Sequence, residues 1–207
     1  MPGKLKSEHH TLADWDFEFG SEGRFLSDDY FISPPTCLKM EPPSEYIFTP
    51  ILCRIPGTLC LPQGELRTWL RSIHGDFILA GFRNQAPLGT ATRDNCYYIM
   101  ATPTDTRLYL RLNDAGYLHS STTPCYVIDE WQHFRIFWYN GFNPAEEESL
   151  CVDIYLDVAS EWVKQGSTLY SRQNRWKDSE INRCGPFPHT FPAWPKYWDD
   201  TEIWGPV

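Results

Sequence analysis

The chain has 207 residues and a formal net charge of −9, a length that suits one all-β domain. The negative charge excludes non-specific nucleic-acid binding, because that function needs a basic surface. Hydrophobic residues make up 42% of the chain and aromatic residues 15%, so there is enough apolar material for a core. With 17 prolines and 13 glycines, the chain is expected to consist of short segments joined by turns.

Targeting signals are absent from the N-terminal segment. Residues 1–12, MPGKLKSEHHTL, have no apolar stretch, so we expect no classical signal peptide. No stretch approaches the roughly 18 apolar residues of a membrane span. The 7 cysteines form no Cys-x-x-Cys pair and are expected to be mostly reduced, buried thiols.

Alternation of apolar and polar residues recurs along the chain and predicts strands. The predicted strands, in chain order, are residues 64–72, 76–84, 95–101, 106–112, 133–140 and 149–158. Residues 113–116, Asn-Asp-Ala-Gly, are typical of a hairpin turn. Helix signals are nearly missing. The pattern therefore predicts an all-β fold of two packed antiparallel sheets, a β-sandwich.

The predicted domain organisation is simple. Residues 1–12 are interpreted as a tail and residues 13–207 as a single domain. Within that domain, residues 185–198 are interpreted as an ordered segment rich in proline and aromatic residues.

One face of the predicted strands is apolar, and the other carries arginine, aromatic and acidic residues. This second mixture suits sugars, whose rings stack on aromatic side chains and whose hydroxyls bind guanidinium and carboxylate groups. It equally suits a solvated sheet face with cross-strand pairs. Arginine outnumbers carboxylate in the set, which favours an acidic polysaccharide. The candidate glycan-binding residues are Arg67, Trp69, Arg83, Arg107, Tyr109, Arg111, Arg135, Tyr139 and Asp153.

Both ends of the chain resemble one family. Residues 15–40, WDFEFGSEGRFLSDDYFISPPTCLKM, and residues 197–205, YWDDTEIWG, resemble the first and last strands of concanavalin A-like jelly-roll domains, including laminin-G-like and carbohydrate-binding modules. The internal stretches CRIPGTLCLPQGELRTWLRS, FILAGFRNQ and EWQHFRIFWYN resemble strands of laminin-G-like domains. The resemblance implies a jelly roll in which residues 14–19 pair with 197–204. It implies the fold and leaves the function open, because this superfold has many functions.

The resemblance also implies a metal site. Many carbohydrate-binding jelly rolls hold a structural calcium where the first and last strands meet, and calcium takes six to eight oxygen ligands. The implied ligands here are Asp16, Glu18, Asp199 and Asp200. The alternative is that these are exposed carboxylates without an ion, or partners of lysines.

Two enzyme classes are alternatives. DWDFE loosely resembles the Glu-x-Asp-x-Glu signature of jelly-roll glucanases, with Asp14 in place of the first glutamate. The arginine-rich strands resemble those of jelly-roll alginate lyases, which act on an acidic polysaccharide. However, Gln132 and His133 are adjacent, so strand alternation sends them to opposite faces. We therefore predict a non-catalytic module.

Two non-catalytic functions remain open. One is glycan binding, and the other is assembly, as in a virion surface, capsid decoration or tail protein. Jelly rolls of this type commonly work outside cells, and a virion protein leaves its host by lysis without a signal peptide. The expected location is therefore the cytoplasm or a virion. The expected partner is a polysaccharide or a protein, including a second copy of the chain.

Overall fold

The computed structural model describes residues 4–7, 15–17, 24–40, 51–53, 62–73, 77–85, 96–102, 107–112, 116–122, 127–178, 183–185 and 195–205. This part of the chain is built of strands and turns, and none of it forms a helix that could cross a membrane. The strands are β1 Lys4–Ser7, β2 Trp15–Phe17, β3 Arg24–Ser27, β4 Cys37–Met40, β5 Ile51–Cys53, β6 Gly64–Ser72, β7 Phe77–Asn84, β8 Tyr97–Thr102, β9 Arg107–Leu112, β10 Gly116–Thr122, β11 Gln132–Phe142, β12 Glu148–Val158, β13 Glu161–Lys164, β14 Leu169–Ser171, β15 Arg183–Gly185 and β16 Lys196–Trp204.

Two antiparallel sheets pack against each other. The larger sheet has the strand order β13-β12-β11-β6-β16-β4-β3, with β1 also beside β16 and β14 beside β12. The second sheet has the order β10-β9-β8-β7-β15, and β2 pairs with β5. The antiparallel β-sandwich that the alternation predicted is confirmed, and so is the β9–β10 hairpin, in which Gly116 pairs with Leu112.

The core lies between the inward faces of the two sheets. Trp138 of β11 is fully buried, and its ring stacks 5.3 Å from that of Phe82 on β7. Alternate residues of these and neighbouring strands add to the core, among them Leu66 of β6, Ile136 of β11 and Leu110 of β9. Since successive side chains point to opposite faces of a sheet, this apolar set turns the polar and aromatic set outward.

The last strand, β16, lies inside the larger sheet. It pairs with β6 along its length and with β4 only over residues 196–198. The predicted pairing of residues 14–19 with 197–204 is wrong, because β2 pairs with β5. Instead, β1 pairs with residues 202–204 of β16, on the edge that β4 leaves open.

The same pairing involves part of residues 1–12, and the interpretation of that segment as a tail stays a prediction. Residues 4–7, which lie within that segment, form a strand, because β16 offers them unpaired backbone groups. Of the predicted proline-aromatic segment, residues 186–194 lie outside the described residues. The assignment of residues 13–207 to a single domain stays a prediction.

Candidate functional site

Three aromatic rings stand in a row on the outward face of the larger sheet, here called the outer face. Trp69 on β6 pairs with His133 on β11, and their rings stack with centroids 4.7 Å apart. The ring of Trp162 on β13 lies 4.7 Å from that of His133 on the other side. These three half-buried side chains form the aromatic row.

The histidine of this row is held mainly in its neutral form. Burial lowers the pKa of His133, against the opposing effect of the Asp157 carboxylate. Its Nδ1 atom lies 3.4 Å from Oδ2 of Asp157. Because the neutral ring carries no charge at neutral pH, the aromatic row is a largely apolar surface.

Two arginines lie next to the aromatic row, two residues further along β6 and β11. Arg67 and Arg135 face each other across these strands and form the arginine pair. Both bond to the carboxylate of Glu65, which is fully buried: Arg67 through Nε, and Arg135 through Nη2 at 2.7 Å. The two arginine side chains remain 26% and 27% exposed. Two guanidinium groups on one carboxylate leave one positive charge in excess.

The planes of both guanidinium groups are fixed by aromatic rings. Arg67 lies 4.3 Å from the ring of Trp204, and Arg135 lies 5.3 Å from that of Tyr155. Cation–π contacts of this kind add to the orientation that the shared carboxylate imposes. In addition, Nε of Arg135 is buried and has no hydrogen-bond partner in the described part of the chain.

A polar cluster lies at the other end of the outer face. Asp153 accepts hydrogen bonds from Tyr139 Oη at 3.3 Å and Thr168 Oγ1 at 2.6 Å. Lys164 Nζ lies 2.6 Å from the same carboxylate. Burial, with the Asp153 charge beside it, raises the pKa of Tyr139. The Tyr139 phenol therefore stays protonated at neutral pH.

The predicted glycan-binding residues do not share one face. The outer face brings together Arg67, Trp69, Arg135, Tyr139 and Asp153. Arg107, Tyr109 and Arg111 lie on β9 of the second sheet. Leucines of β9 alternate with them and are buried in the core. These three residues therefore face away from the outer face, on the opposite side of the sandwich.

Arg83 is also wrongly placed by the sequence prediction. Its side chain is fully buried, and its backbone has a φ of 50°. Its guanidinium group donates to Pro62 O, Asn174 Oδ1 and Asn140 Oδ1, each at 2.7 Å. Arg83 therefore ties loops to strand β11 and cannot contact a ligand on the surface.

The implied calcium site stays a prediction, because only two of its four implied ligands, Asp199 and Asp200, have described side chains. Asp199 Oδ2 accepts hydrogen bonds from the N–H groups of Ile32 and Ser33, at 2.6 and 3.0 Å. Its Oδ1 accepts from the N–H of Asp200, whose own carboxylate accepts from Ser33 Oγ. Burial raises the pKa of Asp199. Among the described residues, no cluster of acidic, histidine or cysteine side chains is placed to hold a metal. The Asp16 side chain and Glu18 lie outside the described residues.

Several side chains of the outer face were not predicted from the sequence. Glu65 shares a face with Arg67 by alternation, and that spacing was the signal for it. Trp162, Lys164 and Asp157 belong to the hairpin of β12 and β13. For Trp162 and Lys164 the sequence signal was weaker, since it consisted only of their alternation along β13.

Comparisons with known proteins bear on the fold. No family model matches the chain, and no curated protein matches it in sequence. The PL-14 alginate lyase from Aplysia kurodai is similar in structure, with a TM-score of 0.59 at 10% identity, over 99% of this chain and 100% of that one. The carbohydrate esterase vb_24B_21 from Shiga toxin-encoding bacteriophage phi24B has a TM-score of 0.55 at 13% identity over 100% of both chains.

A GH43 glycoside hydrolase with endo-xylanase and exo-arabinofuranosidase activity also has a TM-score of 0.55, at 15% identity. This chain is covered over 99% of its length but spans only 41% of that hydrolase. At such identities the similarities show the fold alone. They agree with the jelly-roll sandwich that the sequence resemblance implied.

Proposed function

We propose that this protein binds an acidic polysaccharide on the outer face of the larger sheet and does not cleave it. The observation that carries the proposal is the aromatic row beside the arginine pair, in which two guanidinium groups share the single carboxylate of Glu65. Aromatic rings contact the C–H faces of sugars, and a guanidinium group binds a carboxylate through two parallel hydrogen bonds.

The spacing of the two features suits one sugar unit and its acidic group. Side chains two residues apart on a strand are about 7 Å apart, so the arginine pair lies about that far from the aromatic row. A sugar ring placed on the row can therefore direct a carboxylate to the arginine pair. Because both guanidinium groups are already oriented by Glu65, little conformational entropy is lost when they bind.

The positive charge of the outer face is confined to the arginine pair. The candidate residues chosen from the sequence, among which arginine outnumbers carboxylate, indicated a positive charge spread over the whole face. Lys164 is paired with Asp153, and Lys4 with Glu202. Three of the predicted arginines lie on the second sheet or in the interior. The expected preference for an acidic ligand therefore rests on the arginine pair and not on the whole face.

Catalysis is disfavoured by the separation of the groups that could exchange protons. His133 and Tyr139 both lie on the outer face of β11, six residues apart, which corresponds to roughly 20 Å. One sugar unit cannot contact both as acid and base. The three structurally similar proteins act on carbohydrates as lyase, esterase and hydrolase. Their substrates agree with a carbohydrate ligand for this protein. The reaction that each of them catalyses depends on its own side chains, which a shared fold does not specify.

A polysaccharide lyase is the second candidate, because Asp153 brings a phenol and an ammonium group close together, those of Tyr139 and Lys164. In such an elimination, a base takes the proton beside the uronate carboxyl, the glycosidic C–O bond breaks, and the leaving oxygen takes up a proton. Lys164 would offset the charge of the substrate carboxylate. Its ion pair with Asp153 competes with that role, which is why binding is the first candidate.

The proposal is tested by titrating a polyuronate into the protein in a calorimeter. Trp69→Ala and Arg135→Gln are each expected to weaken binding about tenfold or more. Trp69→Ala should change the melting temperature little, whereas Arg135→Gln should lower it, because the buried Glu65 carboxylate loses one of its two guanidinium partners. Arg107→Ala, at an exposed position of the second sheet, is the matched control and should bind normally. Equal loss in Arg107→Ala, or no loss in the two outer-face variants, would contradict the proposal.

Two further readouts separate the alternatives. An unsaturated uronate product, followed by its ultraviolet absorbance, would establish the lyase instead. If the outer face is an assembly surface, as in a virion, light scattering should show that Trp69→Ala changes the oligomeric mass, while neither form binds polyuronate.

A further inference from the structure

A pocket of about 410 Å³ opens where β10 of the second sheet meets β14 of the larger sheet. Its volume falls within the range of roughly 300–1,000 Å³ that small-ligand sites occupy. Leu118, Pro144 and Ala145 supply apolar walls. None of the predicted glycan-binding residues lines it.

Two polar side chains in this pocket have unused hydrogen-bonding capacity. Ser171 is 3% exposed, and its buried Oγ has no hydrogen-bond partner in the described part of the chain. Buried hydroxyls without partners are rare in folded proteins. His119 accepts a hydrogen bond at Nδ1 from the N–H of Tyr170, at 2.9 Å. In the neutral ring the proton is therefore on Nε2, which makes it a donor.

The pocket carries no net charge at neutral pH. Burial lowers the pKa of His119 and keeps its ring neutral. The charge of Arg172 at the rim is balanced by Glu147, with Arg172 Nε 2.6 Å from Oε2. Apolar walls with a neutral donor and a hydroxyl suit the ring hydroxyls of a sugar better than an ionised group.

The pocket adjoins the outer face through Tyr170. Tyr170 lines the pocket, and its ring lies 5.6 Å from that of His119. On β14 it pairs with Cys151, which pairs in turn with Tyr139 of the polar cluster. Tyr139, Cys151 and Tyr170 thus form one line across three strands, from the outer face to the pocket.

We infer that the pocket is a subsite for the terminal sugar unit of the glycan that the outer face binds. The inference rests on the proposed function, because the outer face supplies the rest of the binding site. The terminal ring contacts the apolar walls, and one of its hydroxyls accepts a hydrogen bond from His119 Nε2. The outer face alone binds internal segments of a long chain, while a short chain needs the pocket as well.

The experiment compares a uronate hexasaccharide, long enough to reach from the pocket to the aromatic row, with a long polyuronate in calorimetric titrations. Ala145→Trp fills the pocket from an exposed position, so the fold should tolerate it, and His119→Ala removes the donor. Both variants should bind the hexasaccharide about tenfold more weakly and the polymer within about twofold of wild type. Val127→Trp, at an exposed turn near the opposite end of β11, is the matched control and should change neither affinity.

The outcomes separate this inference from the proposed function. If Ala145→Trp leaves hexasaccharide binding unchanged while Trp69→Ala weakens both ligands, the subsite is wrong and the proposed function stands. If Ala145→Trp weakens hexasaccharide binding while Trp69→Ala changes neither affinity, the outer face is not the binding surface, and both the continuity of the two sites and the proposed function are wrong. If wild type binds neither ligand, both are overturned.

Discussion

Glu65 organises the outer face although it is itself fully buried. A buried carboxylate is tolerated when it is paired and hydrogen-bonded, and Arg67 and Arg135 provide both. Glu65→Gln keeps the shape but removes the charge. We expect the free energy of unfolding to fall by about 3 kcal/mol, because two guanidinium groups lose their counter-charge. Urea denaturation measures this change.

The same substitution should affect binding in the opposite direction. With Glu65 neutral, the arginine pair carries two positive charges in place of one. The affinity for a polyuronate should therefore rise, and rise most at low salt. Glu161→Gln, at an exposed position, is the control for charge alone. An unchanged stability together with weaker binding would contradict this role for Glu65.

Arg83 is a residue whose role is structural. Arg83→Lys keeps the charge but cannot reproduce the fork of donors that reaches Pro62 O, Asn174 Oδ1 and Asn140 Oδ1. Leaving buried acceptors unpaired should lower the free energy of unfolding by about 2–3 kcal/mol. Glycan affinity measured well below the melting temperature should not change. Weaker binding at an unchanged melting temperature would instead place Arg83 in the binding site.

At the scale of elements, the arrangement around β16 depends on β1. A variant lacking residues 1–7 should expose the backbone of residues 202–204 and lose the ion pair of Lys4 with Glu202. We expect a lower melting temperature and increased self-association, because an unpaired strand edge is a template for another chain. Light scattering and thermal denaturation measure both. A variant that stays monomeric and equally stable would show that β1 is dispensable.

Alternation predicted most strands of the sandwich, because period-two patterning reflects which side of a strand is buried. It placed Arg67 and Trp69 correctly opposite Leu66 and Leu70. It could not place Arg107 relative to them, since which strands share a sheet is decided by pairings distant in sequence. The family resemblance implied that residues 14–19 pair with β16, and the actual pairing with residues 4–7 required knowing which edge β4 leaves open.

The candidate site was predicted less completely than the fold. Sequence alternation identifies which face a residue is on, and not whether its charge is already neutralised. Glu65 beneath the arginine pair, and Lys164 bonded to Asp153, change the electrostatics of the outer face. Both contacts depend on neighbouring strands. For the same reason, the burial of Arg83 could not be read from its alternation with Phe82.

For the whole molecule, two histidines predict how stability depends on pH. Burial lowers the pKa of His119 and of His133 in the folded chain, whereas both titrate at about 6.5 when unfolded. Below about 6.5 the unfolded chain binds more protons than the folded one, so the free energy of unfolding falls as the pH is lowered. The double variant His119→Gln with His133→Gln should show a shallower fall between about pH 6.5 and 5. Denaturation curves at several pH values measure it, and an unchanged slope would contradict the prediction.

The central claim is that the outer face binds the glycan, and the tryptophan indole N–H signals in a two-dimensional NMR titration with an oligouronate test it most directly. The chain has 9 tryptophans. Trp69 and Trp162 line the aromatic row, and Trp138 and Trp198 are fully buried in the core. The claim predicts that the signals of Trp69 and Trp162 shift with increasing ligand while those of Trp138 and Trp198 do not. Saturating ligand that leaves Trp69 and Trp162 unshifted would contradict it.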